Sequence, residues 1–389
     1  MPDSGPAILI AAISGRALAA SARRGGYLPL VTDFFGDQDT LAAAYAHVRL
    51  AGDLARGIEE QDLLRVLEML SEQRPPAGIV YGTGFEMRTH LLDRLAQRWR
   101  LFGNNAETVA KVKNPEQLAA TCAGLGIPCP DLSLSPPPSP ADWLVKRRGG
   151  AGGGHVKPAL HPHSAGGGMY YQRKMSGTPI AALFVSDGKH AVVLGFSAQW
   201  SSPTSRQPYR YGGAVRPATV TPAVADLLDA AVHKLAAAFS LVGLNSADFL
   251  VDGESIWLLE INPRPGATLD IFEPRGGSLF ALHMAACRGK LFAAPHHPEG
   301  AKASAIVYAK NDIPCVPALD WPDWSADRPA AGITIKAGEP VCTVYACSQD
   351  VCSQAAAAAR AIVDQRREMI LAWTRAGGNH EGPAPDQCE

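Results

Sequence analysis

Apolar residues recur along this chain in two rhythms. Residues 7–13 (Ala-Ile-Leu-Ile-Ala-Ala-Ile) are an unbroken apolar run, and Leu28 to Asp33 and Ala77 to Tyr81 are two more. Continuous runs bounded by turn residues fit strands buried on both faces. Between them, mixed polar and apolar positions predict helices after Ser14-Gly15-Arg16, over roughly 40–73, and from Glu86 to Trp99. Strand–helix alternation predicts a small open parallel sheet over residues 1–103. Ligands of such sheets sit beyond the carboxyl ends of the strands. Loops 14–16, 33–37 and 82–86 are therefore either ligand loops or plain connections.

Beyond residue 103 the rhythm changes. Residues 104–135 read as helix followed by a connection through Pro128-Cys-Pro130, and Ser135 to Pro140 is a proline-rich loop. Trp143-Leu-Val-Lys146 is a short strand that enters a glycine-rich run. Strands follow over 169–200 with a turn at Asp187-Gly188, then a long loop over 203–217 and a helix over 221–242. Asn245 to Val251, Asp252-Gly253 and Ile256 to Glu260 spell a hairpin. After residue 300, Ser304–Ala309, Ile333–Ile335 and Val341–Ala346 alternate like strands, and Ala355–Thr374 closes the chain as a helix. The fold class expected is α/β (an α+β clamp), divided as 1–103, 104–300 and a β-rich 301–389.

Composition narrows the partners. The chain has 389 residues, 47% hydrophobic, with a formal net charge of −1. That balance argues against nucleic acid and against an anionic membrane surface. No apolar run reaches the ~20 residues of a membrane span, and the N-terminus lacks a basic leader, so a cytoplasmic location is expected. The eight cysteines show no metal-site spacing and read as reduced, packed thiols.

Chemistry concentrates in Leu258-Leu-Glu-Ile-Asn-Pro-Arg-Pro-Gly266. Glu260 and Asn262 lie two apart on a strand and so share a face. The hairpin turn places Asp248 opposite Glu260. Carboxylate and amide oxygens suit a hard cation such as Mg2+. Arg264 adds a fixed charge beside them, a pairing fit for nucleotide phosphates. Upstream, Lys146 precedes the glycines of 149–154, whose backbone would approach phosphate oxygens closely. The spacing matches neither the P-loop nor the dinucleotide fingerprint.

Lys146 with its glycine loop, Asp248, and Glu260-Ile-Asn262-Pro-Arg264 together resemble the ATP-grasp superfamily. The resemblance implies a small pre-domain and a two-lobed clamp holding ATP and two Mg2+ ions, with Mn2+ as an alternative. It implies Asp248, Glu260 and Asn262 as metal ligands, and Arg264 and Lys146 as catalytic cations. It implies nucleotide contacts from Lys113 (with Lys111 competing), Lys146, Gly150, Gly152, Gly153 and Gly154, and from the hinge residues Gln172, Lys174 and Met175. The hinge departs from the family by lacking its usual acidic residues, and no arginine precedes Asp248; Arg206, Arg210 or Arg216 are candidate replacements. His155 and His163 lie near the loop and read as ordinary loop histidines.

The activity implied is activation of a carboxylate as an acyl phosphate, followed by attack of an amine. Arg16, Glu86, Arg210 and Arg216 are candidate substrate contacts. The segments around Ser14-Gly-Arg16 and Trp321-Pro-Asp-Trp324 also resemble ATP-grasp proteins of methanofuran and tetrahydromethanopterin pathways in methylotrophic bacteria, some of which join glutamate to tyramine or tyrosine. Expected partners are small-molecule carboxylates and amines, with a homodimer an option. A small-molecule kinase and a non-catalytic nucleotide sensor remain open alternatives. A nicotinamide-dependent reductase is disfavoured by the glycine spacing.

Overall fold

The computed structural model describes residues 4–159, 167–293, 300–348 and 354–376. Its first layer is a five-stranded parallel sheet of β1 (Ala7–Ala11), β2 (Leu28–Asp33), β3 (Ala46–Arg49), β4 (Ile79–Tyr81) and β5 (Leu101–Phe102). The strand order is β3-β2-β1-β4-β5, the doubly wound pattern. All of β1 is buried, because helices cover both faces. β3 and β5 were not foreseen; they are short edge strands, and the expected helix over 40–73 is interrupted by β3. The connection order changes between β1 and β4, so loops 12–15 and 82–86 open into the crevice there.

The second layer is a small antiparallel sheet of β6 (Leu132–Ser133), β7 (Trp143–Arg147), β8 (Lys157–Pro158) and β9 (Met169–Arg173), ordered β6-β9-β7-β8. β7 and β8 pair as a hairpin, and the glycine run is the loop between them.

The third layer is an eight-stranded antiparallel sheet, ordered β14-β13-β10-β11-β12-β15-β17-β16. Its strands are β10 (Thr178–Asp187), β11 (Ala191–Ser201), β12 (Tyr211–Arg216), β13 (Val242–Asp252), β14 (Ser255–Asn262), β15 (Ala301–Tyr308), β16 (Ser325–Ala326) and β17 (Pro340–Ser348). Two expectations are corrected here. The stretch 203–217 is not all loop, since Tyr211–Arg216 is a strand. The residues from 301 onward have no sheet of their own: β15 pairs with β12 and extends the central sheet across the expected boundary. Residues 333–335 contribute only the isolated bridge Ile313–Ile335.

Helix ends follow local chemistry. The helix Pro115–Leu125 has Asn114 capping the amides of Glu116 and Gln117, proline in its first turn, and left-handed Gly126 after it. Pro222–Ala238 is capped by Thr221, and its apolar face (Leu228, Val232, Leu235) packs under the large sheet. The helix Ala355–Ala376 packs on β15 and β17 through Ala359, Val363 and Ile370. No helix among the described residues is long and apolar enough to cross a membrane. Five cysteines, at 122, 129, 287, 315 and 342, are free as expected, but Cys347 is disulfide-bonded.

One buried histidine couples the layers. His283, 1% exposed, accepts the Leu244 amide on Nδ1 at 2.9 Å and places Nε2 3.1 Å from the Phe102 carbonyl. That pair of contacts fits the neutral ring with its proton on Nε2. Burial depresses its pKa to about 4 despite the Phe102 carbonyl. Unfolding raises the pKa to about 6.5, so the unfolded chain takes up the proton first on acidification. Stability contributed by the neutral ring is complete above pH ~6.5 and is lost as pH falls towards 4, a loss of about 3 kcal/mol. Urea titrations at pH 7, 6, 5 and 4 should show that decline, and His283→Gln should flatten it.

Candidate active site

The hairpin β13–β14 builds the centre of the site, and a β-bulge sets its geometry. From the turn inward the pairing runs Asp252–Ser255, Val251–Ile256, Leu250–Trp257, Phe249–Leu258, and then jumps to Asp248–Glu260. Leu259 is the extra residue. Plain alternation would send Glu260 to the same face as Ile256 and Leu258, which are core. The bulge reverses the faces beyond it, so Ile261 enters the core at 0% exposure and Glu260 and Asn262 face the site. Across the pair, Ser246 and Asp248 share that face while Ala247 and Phe249 are buried in the core.

Asp248, Glu260 and Asn262 do converge. Asn262 donates through Nδ2 to Asp248 Oδ2 at 2.9 Å, and Gln199 Nε2 lies 3.3 Å from Asp248 Oδ1. Lys113, at the end of the helix Ala106–Val112, reaches in from another segment. Its Nζ is 2.9 Å from Asn262 Oδ1 and 3.3 Å from Glu260 Oε2. Of the two competing lysines, Lys111 instead pairs with Glu107 on its own helix. Lys146 is buried and donates to Gln172 Oε1 at 2.8 Å across the β7–β9 pair.

Electrostatics follow from burial and crowding. Burial, then the Glu260 charge, pushes the Asp248 carboxyl well above the carboxylate range. Burial acts upward on Glu260 too, but Lys113, Lys146 and His155 outweigh it and hold its carboxyl low. Burial lowers the Lys146 ammonium, against the pull of Glu260. Two carboxylates this close divide their ionisation, one pushed up and the other held down.

The oxygen set suits a hard cation, and the Lys113 ammonium is a stand-in that already lies between Glu260 and Asn262. Among the described residues no three His, Cys, Asp or Glu gather as a metal site; the oxygens that meet here are those of two carboxylates and the Asn262 amide.

Arg264 is 8% exposed and its Nε donates to Glu86 Oε1 at 2.7 Å. Glu86 comes from the loop after β4 and is fixed in turn by the Gly84 amide at 2.9 Å. Burial acts against the Glu86 charge, yet Arg264 and Lys113 keep its carboxyl below the usual range. Arg264 Nη2 lies 3.5 Å from Asn262 Oδ1. Two residues unmarked in the sequence lock the same junction. Asn104 bridges Asn245, Val242 and the Pro263 carbonyl, and the Tyr81 hydroxyl donates to the Asn104 carbonyl. Asn104 is a lone polar residue in a loop and Tyr81 ends β4, and no periodicity marks either one.

The glycine loop packs onto this group. Gly149, Gly152 and Gly153 have positive φ, and a Cβ on Gly153 would fall 1.9 Å from the Tyr209 carbonyl oxygen. A Cβ on Gly149 would fall 2.5 Å from the Glu86 carbonyl oxygen, and one on Gly150 would strike the His155 ring. Gly154 borders Gln207. A narrow cleft runs between loop and hairpin, lined by Lys113, Gly149, Gly150, His155, Gln172 and Glu260. Lys174 and Met175 follow β9 at its outer end, where the Lys174 amide donates to the Asp142 carbonyl. His163 lies outside the described residues.

The remaining arginines stand apart from the hairpin cluster. Arg210 stacks 3.6 Å from the centre of the Tyr308 ring and donates to the Gly338 carbonyl. Arg216 donates to the Ile271 carbonyl. Arg16 is held by Asp270 and Asp327. The substrate contacts expected of these three therefore meet guanidinium groups already engaged by protein.

Residues 111–268 match the profile of the ATP-grasp domain. Solved structures of the same fold include the biotin carboxylase domain of a single-chain bacterial carboxylase, with TM-score 0.68 and 16% identity, covering 95% of this chain and 93% of that one. The biotin carboxylase domain of Hydrogenobacter thermophilus 2-oxoglutarate carboxylase, solved with MgADP, ADP and bicarbonate, gives TM-score 0.69 at 12% identity over 88% of this chain and 86% of that one. N5-carboxyaminoimidazole synthetase from Staphylococcus aureus gives 0.64 at 14% identity over 96% and 98%. No curated protein matches in sequence. Residues 111–268 thus match the ATP-grasp domain, and the chain as a whole shares the fold of these carboxylase and synthetase structures.

The Glu86–Arg264 pair joins the N-terminal sheet to the site. Removing one partner of a buried pair strands the other's charge. Glu86→Ala should cost about 3–5 kcal/mol in denaturant unfolding, and Glu86→Gln should cost less because it retains a hydrogen-bond acceptor.

Proposed function

We propose that the protein is an ATP-dependent ligase that activates a carboxylate as an acyl phosphate and joins it to an amine. The observation that carries this reading is the convergence of Asp248, Glu260 and Asn262 with Lys113, Lys146 and Arg264 beneath a glycine loop. A carboxylate acylates poorly because oxide is its leaving group, and phosphorylation replaces oxide by phosphate. The protein's task is then positioning and charge neutralisation.

Asp248, Glu260 and Asn262 would hold Mg2+, which would supply charge neutralisation to phosphate oxygens. Lys113 lines the cleft and Lys146 is buried beside it, and both cations act on Glu260. Gln172 orients Lys146 through the 2.8 Å contact. Glu86 fixes Arg264, which places its guanidinium beside Asn262 without a search over rotamers. The backbone of Gly149–Gly154 closes one side, limits water and protects a hydrolysable acyl phosphate. Gln172, Lys174 and Met175 lie where the clamp's two lobes join and would border the adenosine. Similarity to biotin carboxylase and N5-carboxyaminoimidazole synthetase structures supports an ATP-dependent reaction at a carboxylate. Glutamate with tyramine or tyrosine is the first pair to test, given the resemblance of the terminal segments.

ADP release should require both an acid and an amine when pairs are screened, with a product mass equal to their sum minus water. ADP release without an amine would favour a kinase, and nucleotide binding without turnover a sensor. Glu260→Ala should lower turnover at least ~100-fold while circular dichroism stays unchanged. Retained turnover would remove Glu260 from the metal set.

A further inference from the structure

The connection from the helix Pro115–Leu125 to β6 brings two thiols together beside the cleft. Left-handed Gly126 ends the helix, and the Ile127 amide donates to the Cys122 carbonyl at 2.9 Å. The chain therefore doubles back across the helix end. The Leu258 amide on β14 then pins the Pro128 carbonyl at 2.8 Å. This path returns Cys129 to the last helical turn, where Cys122 sits.

The two thiols are free, hydrogen-bonded to each other, and differently placed. Cys122 is 0% exposed in the apolar core with Leu228, Val232 and Ile261. Cys129 is half-buried; it packs against that core and also lines the cleft with Lys113, Gln172 and Glu260. The contact with Cys122 lowers the Cys129 thiol, against burial and the Asp131 charge. The same contact, aided by burial, pushes Cys122 far up. Thiolate character thus gathers on the sulfur that faces the cleft, while its neighbour keeps its proton. Elsewhere burial pushes the Cys287 and Cys342 thiols up instead. Cysteines that respond to oxidants combine thiolate character, access to solvent and a second thiol within reach.

We propose that Cys129 and Cys122 form an oxidation site in the wall of the cleft, with Cys129 as the attacking thiol and Cys122 as the resolving one. The oxidant is a small-molecule disulfide. The Cys129 thiolate attacks one of its sulfurs, the small disulfide bond breaks, and one thiolate leaves and takes up the proton that Cys129 gave to solvent. Cys122 then attacks Cys129 Sγ, expels the second small thiolate and passes its own proton to it. The pair of cysteines is oxidised to a disulfide and the oxidant is reduced to two thiols. The mixed disulfide would fill part of the cleft, and the protein disulfide would draw Cys129 Sγ towards the core. An effect on nucleotide binding rests on the ligase reading; the thiol chemistry does not.

The test uses the full chain with its free thiols, oxidised glutathione as the probe, and peptide mass as the readout. Residues 114–146 form one tryptic peptide that holds Cys122, Cys129 and no other cysteine. In wild type this peptide should lose two hydrogen atoms and stop reacting with iodoacetamide, and dithiothreitol should reverse both changes. Cys122→Ala should stop at one glutathione on Cys129. Cys129→Ser should leave Cys122 unmodified. A wild-type peptide that stays reduced while the exposed Cys315 reacts overturns the proposal. A mixed disulfide that persists in wild type, or modification of Cys122 in Cys129→Ser, overturns it as well. MgATP in excess should slow the oxidation at least ~10-fold, because reaction is confined to the unoccupied protein. Disulfide formation at an unchanged rate with MgATP bound would keep the thiol pair and overturn the reading of this cleft as the nucleotide site.

Discussion

The placement of Asp248 directly across from Glu260 is the constraint on which the site depends. Two carboxylates on adjacent strands, both taken out of water, repel one another and each carries a desolvation cost. The fold accepts this arrangement because cations arrive from elsewhere in the chain. Lys113 comes from the end of a helix that precedes the small sheet, and Lys146 from a strand within it. The hairpin alone could not hold its acids ionised; it needs the small sheet and the preceding helix folded against it. Charge balance thus couples the two sheets in addition to apolar packing.

The N-terminal sheet enters by the same logic at a different place. Glu86 supplies the carboxylate that Arg264 lacks on its own strand, and the Gly149 backbone rests against the Glu86 carbonyl. A shift in loop 82–86 would therefore move both the arginine and the glycine loop. Asn104, bonded at once to Asn245 and the Pro263 carbonyl, fixes the spacing between that sheet and the hairpin exit.

The fold was legible where physics is local. Apolar runs such as 7–11 are buried parallel strands, and Asp252-Gly253 turns a hairpin that brings Asp248 opposite Glu260. The exact pairing was legible only in outline, because it requires the bulge at Leu259. The consecutive apolar residues Trp257-Leu258-Leu259 are its trace, since strict alternation would have placed a polar residue among them. Strands β3 and β5 are too short to stand out from their surroundings. The continuation of the large sheet through β15 depends on pairing between residues far apart in the chain, such as Gly213 with Ala305, which no local pattern encodes. The partners of Arg16, Arg210 and Arg216 were hidden for the same reason. A charged residue in a loop looks free until the distant carboxylate, carbonyl or ring that engages it is in place.

Seen across the molecule, charge is sorted into two regions of opposite sign. Lys113, Lys146 and Arg264 gather at the hairpin, where they outnumber the ionised acids once Asp248 is held neutral. Asp33, Asp37, Asp39, Asp270 and Asp327 gather around one arginine at the N-terminal junction. The segment from Arg264 to Phe272 links them, and its residues Leu269, Ile271 and Phe272 are buried in the shared core. Neither region can slide relative to the other without breaking that core.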